Sequence, residues 1–280
     1  MLPQPSQGLA VVALLSYASS AACYIWHLRK PHRWIGWSAT LLAAVGAVMN
    51  LLALYARSRA FHSVPYRDLL GSMALFGFFL TVLSLALELW HQDRSLGAFL
   101  MPAALVFLIV AFLLPPGSAT PAPELKGAMF ALHVTLNMLA YAAFAVACAL
   151  SILYLTVGRS LKNRARNAFE GTAGRLPTLG FLERANRTSL GVGVVALTVG
   201  LVFGILWAAQ VWHVEHPLWL LDPKVVIAFL TLAFYLYVVI RAYRGEAPVK
   251  TARLSIAGFV LVIVSYTAIN LFVSRIHVFT

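Results

Sequence analysis

Charge is scarce in this chain, and cysteine scarcer still. Of 280 residues, 11% are charged and two are cysteine, Cys23 and Cys148, each inside an apolar run. An ordinary soluble domain is about 25% charged. With 61% hydrophobic residues, a water-soluble globule of this size would have too little polar matter to cover its surface. The cysteines form no Cys-x-x-Cys pair, so neither a thiol–disulfide relay nor a secreted disulfide scaffold is indicated. Acid is the rarer sign, with 9 Asp+Glu against 21 Lys+Arg and a formal charge of +12. Nucleic-acid binding is one reading of such an excess. No basic helix-turn-helix or aromatic-rich binding module accompanies it, so no nucleic-acid partner is expected. The start, Met1-Leu-Pro-Gln-Pro5, lacks the positive region of a signal peptide, and the first apolar run is expected to stay in place.

What is abundant is apolar sequence in blocks of about 20 residues, the length that spans a bilayer as a helix. Eight spans are expected, near 8–27, 35–55, 69–90, 96–114, 128–157, 189–212, 224–243 and 254–274. Each must satisfy its own backbone in lipid, so each is read as a helix. The fold class is therefore an all-α integral membrane protein, a bundle of eight transmembrane helices. Loops 28–34, 91–95, 158–188 and 241–253 share one side and carry 15 of the 21 Lys+Arg. The opposite side holds Arg57, Arg59, Arg67, Lys126, Lys224 and Arg275. The positive-inside bias places the first set in the cytoplasm and both termini outside, in the periplasm. The loop 158–188 is expected to include a short interfacial helix, Leu179 to Asn186. A seam is plausible in the proline-rich loop Pro115 to Pro123.

Polar groups inside spans are costly and point to function. His133, Asn137 and Tyr141 recur every fourth residue on one face of the fifth helix. Tyr266, Asn270, Ser274 and His277 form a similar stripe in the eighth. The orientation puts His133 and His277 near the outer ends of their helices, where the two can meet at one depth. Between spans six and seven runs a loop that is apolar and aromatic, from Trp207 through Trp212 and Trp219 to Asp222-Pro223-Lys224. Such a loop wants to lie against a membrane interface or a flat hydrophobic ligand. Together these features suggest haem. Neutral imidazole is a strong axial ligand, aromatic walls suit the porphyrin face, and outer cations such as Arg57, Arg67, Lys126, Lys224 and Arg275 suit its propionates. The plainer readings are an interhelical hydrogen bond for His133, an aromatic belt for the tryptophans and lipid phosphates for the cations. His213, Glu215 and His216 are a candidate metal cluster. His27, His32 and His91 are candidates for an inner haem-admitting site.

Several stretches resemble a known family. Leu132-His133-Val-Thr-Leu-Asn-Met-Leu-Ala-Tyr141, Leu176-Pro177-Thr-Leu-Gly-Phe-Leu-Glu183-Arg184-Ala-Asn186, Gly200-Leu-Val-Phe-Gly204-Ile-Leu-Trp207, Asp222-Pro223-Lys224 and Asn270-Leu-Phe-Val-Ser274-Arg-Ile-His277 are similar to segments of the CcsA/ResC-type cytochrome c assembly family, in particular its short HemX-like and YpjD-like members. The likeness is strongest over 128–280, and Pro65-Tyr66-Arg67-Asp68-Leu69 is a weaker echo. The resemblance implies a haem-handling membrane domain over 61–280, with 1–60 as N-terminal anchoring helices. It implies His133 and His277 as axial ligands of a non-covalent, b-type haem. Trp207, Trp212, Trp219 and Asp222 would form an aromatic shelf, with Asn137 and Asn270 beside the histidines. It also implies a multi-pass protein of the bacterial cytoplasmic (inner) membrane, working with a ResB-like subunit and apocytochrome c. No nucleophile or general acid stands out, so enzyme status is expected only as part of such a haem–apocytochrome ligation complex. The sequence departs from the family pattern where Trp212-His213 replaces a Trp-Gly and Leu221 replaces an aromatic before Asp222. Two other functions stay open: a HemX-like regulator of haem synthesis, with loop 158–188 as a docking surface, and a transporter whose Gly200-x-x-x-Gly204 serves helix packing.

Overall fold

The structure, a computed structural model, describes residues 4–61, 64, 68–114, 127–164, 177–212, 223–245 and 247–268. Among them all regular structure is helical: α1 (Gln4–Arg29), α2 (Arg33–Phe61), α3 (Leu69–His91), α4 (Gly97–Leu113), α5 (Ala128–Arg164), α6 (Leu179–Trp212), α7 (Pro223–Tyr243) and α8 (Pro248–Ala268). Seven are long and apolar enough to cross a membrane, and α4 is a shorter apolar helix of 17 residues. A helix stands at each of the eight expected spans, and the fold is that of an all-α integral membrane protein.

Several boundaries move outward, for physical reasons. The expected interfacial helix Leu179 to Asn186 is not separate but is the first two turns of α6. Leu182 and Ala185 are fully buried there, and Asn186 bonds back to α5, so nothing breaks the ladder. The second helix continues six residues past its apolar run because Arg57 is buried and paired with Asp68. The eighth begins six residues early, with Pro248 at its first position, where a missing N–H costs nothing.

The chain divides into two compact units: 1–126 with 157–181, and 127–156 with 182–280. In the first unit α1 packs on α2 and α4, and α3 packs on α2 and α4, closing a ring of four. Small residues bring the backbones close: Ala13, Ala39 and Ala43 are fully buried, and Gly46 leaves room for the Tyr17 ring. One buried carboxylate ties the ring together. Glu88 of α3 accepts from Tyr24 Oη of α1 at 2.5 Å, from Thr40 Oγ1 of α2 at 2.5 Å and from Arg94 Nε at 3.1 Å. A buried charge is tolerable only when partnered in this way. Arg94 also lies over the Trp37 ring, 4.3 Å from its centroid. At this same end of the unit Trp26, Trp34, Trp37 and Trp90 are all at least half exposed, an aromatic belt beside Arg29, Lys30 and Arg33. At the other end Arg57 grips Asp68 through both guanidinium nitrogens, and Asp68 Oδ1 caps α3 at Gly71 N, 2.9 Å away.

The second unit has its own core, from Ala140, Phe144 and Ala147 of α5, Leu190, Leu197 and Leu201 of α6, Tyr235 and Val238 of α7, and Val262 of α8. Phe144 and Tyr235 stack with centroids 3.5 Å apart and planes within 3°.

Candidate functional site

Helices α5 and α6 run antiparallel with one register along their shared length. Phe130 meets Trp207, His133 meets Gly204, Asn137 meets Gly200, Phe144 meets Gly193, and Ser151 meets Asn186. In every pair the two residue numbers add to the same value, as antiparallel helices of equal rise require. Large or polar side chains sit on α5 and glycines sit opposite on α6. A Cβ on Gly193 would collide with the Phe144 ring; on Gly200 it would lie 2.7 Å from Asn137 Oδ1; on Gly204 it would enter the His133 ring. The glycines are therefore the seat of the polar stripe.

His133 is held in one orientation by this seat. Its Nδ1 is 2.7 Å from the Gly200 carbonyl oxygen. A carbonyl only accepts, so Nδ1 carries the proton, and in the neutral ring Nε2 keeps a lone pair. Asn137, one turn along, places its amide nitrogen 3.1 Å from Nδ1 and 3.3 Å from Nε2. Nearly equidistant from the two ring nitrogens, it lies against the imidazole and not along the Nε2 lone pair, which points away from Nδ1. One turn in the other direction the Trp207 and Phe130 rings meet at 5.1 Å. Imidazole, amide and aromatic pair thus share one seam.

Three of the expected site residues, His133, Asn137 and Trp207, are brought together. Trp212 ends α6. Trp219, Asp222, Asn270 and His277 lie outside the described residues, as do His213, Glu215 and His216. One side reading changes. Arg57 is committed to Asp68 at a buried pair, so it is not a free cation for an outer ligand. His27, His32 and His91 do not form a metal-holding group among the described residues. His27 Nδ1 lies 3.1 Å from the His32 carbonyl oxygen, and His91 sits edge-on to Phe181. Gly204 and Phe130 were not singled out as site residues; the four-residue spacing of the glycines was the available signal.

Residues 66–277 match the family described as Cytochrome C assembly protein. The chain belongs to that family. Among its relatives, a Cytochrome c biogenesis protein CcsA of Microcystis aeruginosa (strain NIES-843 / IAM M-2473) is 30% identical, the alignment covering 76% of this chain and 78% of the relative. Proteins of the same name from Prochlorococcus marinus (strain MIT 9301) and Chlorella vulgaris are each 27% identical, over 85% and 86% of this chain and 82% and 85% of theirs. An alignment covering 85% of the chain is longer than 61–280. The CcsA-type likeness therefore also takes in part of α2, further toward the N-terminus than the sequence motifs indicate.

Proposed function

We propose that this protein holds haem, as cargo, at the outer face of the cytoplasmic membrane for assembly of c-type cytochromes. Family membership supports the pathway. The observation that carries the haem reading is the hydrogen bond from His133 Nδ1 to the Gly200 carbonyl. It fixes the tautomer and leaves Nε2 to ligate, the arrangement that metal-binding histidines generally use. The donor chemistry fits haem iron, for which imidazole nitrogen is a natural axial ligand.

The roles follow by residue. His133 supplies one axial nitrogen and His277 the other. Asn137, packed against the imidazole one turn along, helps hold the ring in place. As the family resemblance implies, Trp207, Trp212 and Trp219 would form an apolar shelf with Asp222, and Asn270 would stand beside the histidines. Bound in this way, non-covalently and b-type, haem offers its vinyl groups to cysteine thiols of an apocytochrome, which add S–H across the C=C bonds. The chain's own work is to hold the imidazole, exclude water with aromatic rings and prevent wrong axial ligation. A ResB-like subunit would supply the apocytochrome-binding surface. Both termini lie outside, and the membrane is that of a bacterium.

The test is a spectrum. Purified protein is expected to show a bis-histidine Soret band that is lost in both His133→Ala and His277→Ala. A protein that stays colourless after haem addition overturns the reading. Deletion is expected to abolish c-type cytochromes; cytochromes intact with altered haem precursors would instead assign a regulatory role.

A further inference from the structure

At the far end of the second unit from His133, a cleft opens between α5, α6 and the α7–α8 turn. Ser151, Tyr154, Glu183, Asn186, Arg187 and Thr251 are its polar lining; Leu182, Ala242, Pro248 and Ala252 are its apolar lining. The haem reading uses none of these residues. Ser151 lies 18 residues along α5 from His133. At 1.5 Å per residue that is about 27 Å, close to the ~30 Å hydrocarbon thickness of a bilayer. Two helix ends, the last residues of α7 and the first of α8, fall at the same level. Resting on the proposed placement of His133 at the outer boundary, the cleft falls at the depth of the lipid headgroups of the other face.

Its lining has two charged poles, Glu183 and Arg187, one turn apart on α6. Among the described residues of this unit Glu183 is the one acid, and it makes no ion pair with any of them. Beside it, Asn186 uses its amide hydrogens on the Ala147 carbonyl (2.7 Å) and Ser151 Oγ (2.8 Å), which leaves its own oxygen to accept. That pole accepts hydrogen bonds. The other pole is positive. Among the described residues Arg187 has no carboxylate partner; it lies over the Tyr243 ring, 5.3 Å from the centroid. Pro248 and Thr251 lie in the first turn of α8, whose dipole favours an anion, although the Lys250 and Thr251 N–H groups already donate to the Ala247 carbonyl. Arg184, Lys250 and Arg253, each next in sequence to a lining residue, are exposed.

We propose that this cleft binds a primary amine joined to a phosphate, the chemistry of an ethanolamine headgroup. The ammonium sits between Glu183 and the Asn186 oxygen, and the phosphate sits at Arg187 and the start of α8. The interior is small, about 20 Å³, room for one water-sized group. A primary ammonium enters; a trimethylammonium does not. The apolar lining and the depth favour a membrane lipid as the source over a soluble phosphoethanolamine.

The test uses the full chain, reconstituted in equal parts of phosphatidylethanolamine, phosphatidylcholine and phosphatidylglycerol, with retained lipid read by native mass spectrometry. A charged hydrogen bond is worth about 1.5–3 kcal/mol, so phosphatidylethanolamine is expected at least about tenfold enriched over the other two. Glu183→Gln is expected to erase that preference, and Arg187→Gln to lower retention of all three. Equal retention of the three lipids by the unaltered chain overturns the proposal without recourse to any variant. A preference unchanged in Glu183→Gln overturns it as well. Added millimolar phosphoethanolamine distinguishes the sources: displacement of the lipid assigns the cleft to the soluble compound, and persistence assigns it to the lipid.

Discussion

A histidine in a membrane helix becomes a usable ligand only when its surroundings choose which nitrogen is free. Here the choice is made by two glycines on the facing helix. Gly200 offers its carbonyl, and Gly204 clears the space that the ring fills. Gly204→Ala is expected to overpack the seam by about 1–3 kcal/mol, lowering the melting temperature in detergent and weakening haem retention. Gly158→Ala on α5, where an added Cβ meets nothing, is expected to be neutral or to stabilise by up to about 1 kcal/mol. At this scale the sequence is legible in part. His133 and Asn137 announce themselves by a four-residue spacing in apolar surroundings. That Gly200 and Gly204 face them is a contact across 67 residues of chain, and no local pattern encodes that. Arg57 is the instructive error. Its position among outer cations suggests an anion ligand, and only the fold reveals that Asp68, eleven residues on, already holds it.

The helices were readable from hydropathy because the bilayer sets their length. Their ends were not, because the ends are set by individual polar contacts. At 37 and 34 residues, α5 and α6 extend about 56 and 51 Å, well beyond the hydrocarbon. Buried pairs such as Ser151 with Asn186 carry the packing past the apolar stretch. The single register along this pair has a direct check. In a chain with Cys23 and Cys148 changed to serine, Phe144→Cys with Gly193→Cys is expected to cross-link under mild oxidation. Moving the second cysteine to Val195, which faces outward, is expected to abolish the cross-link. Equal cross-linking at both positions would show that the helices are not packed in this register.

For the whole molecule, the lopsided distribution of Lys and Arg and the belt of exposed tryptophans beside Arg29, Lys30 and Arg33 describe the same boundary. Single cysteines introduced at Lys30, Arg159 and Lys250 are expected to react with an impermeant maleimide only in inverted vesicles, and one at Arg59 only in intact cells. The reverse pattern would invert the molecule and move His133 to the inner face. The two units also differ in what they bury. The first encloses a charged knot around Glu88, while the second encloses an aromatic stack and presents its polar stripe at a seam. With the His133 ring wedged against bare backbone, one jaw of any grip on a ligand is stationary. Opening it to let cargo go therefore falls to the opposite side, and a mutation that freezes that side should trap the load rather than prevent its capture.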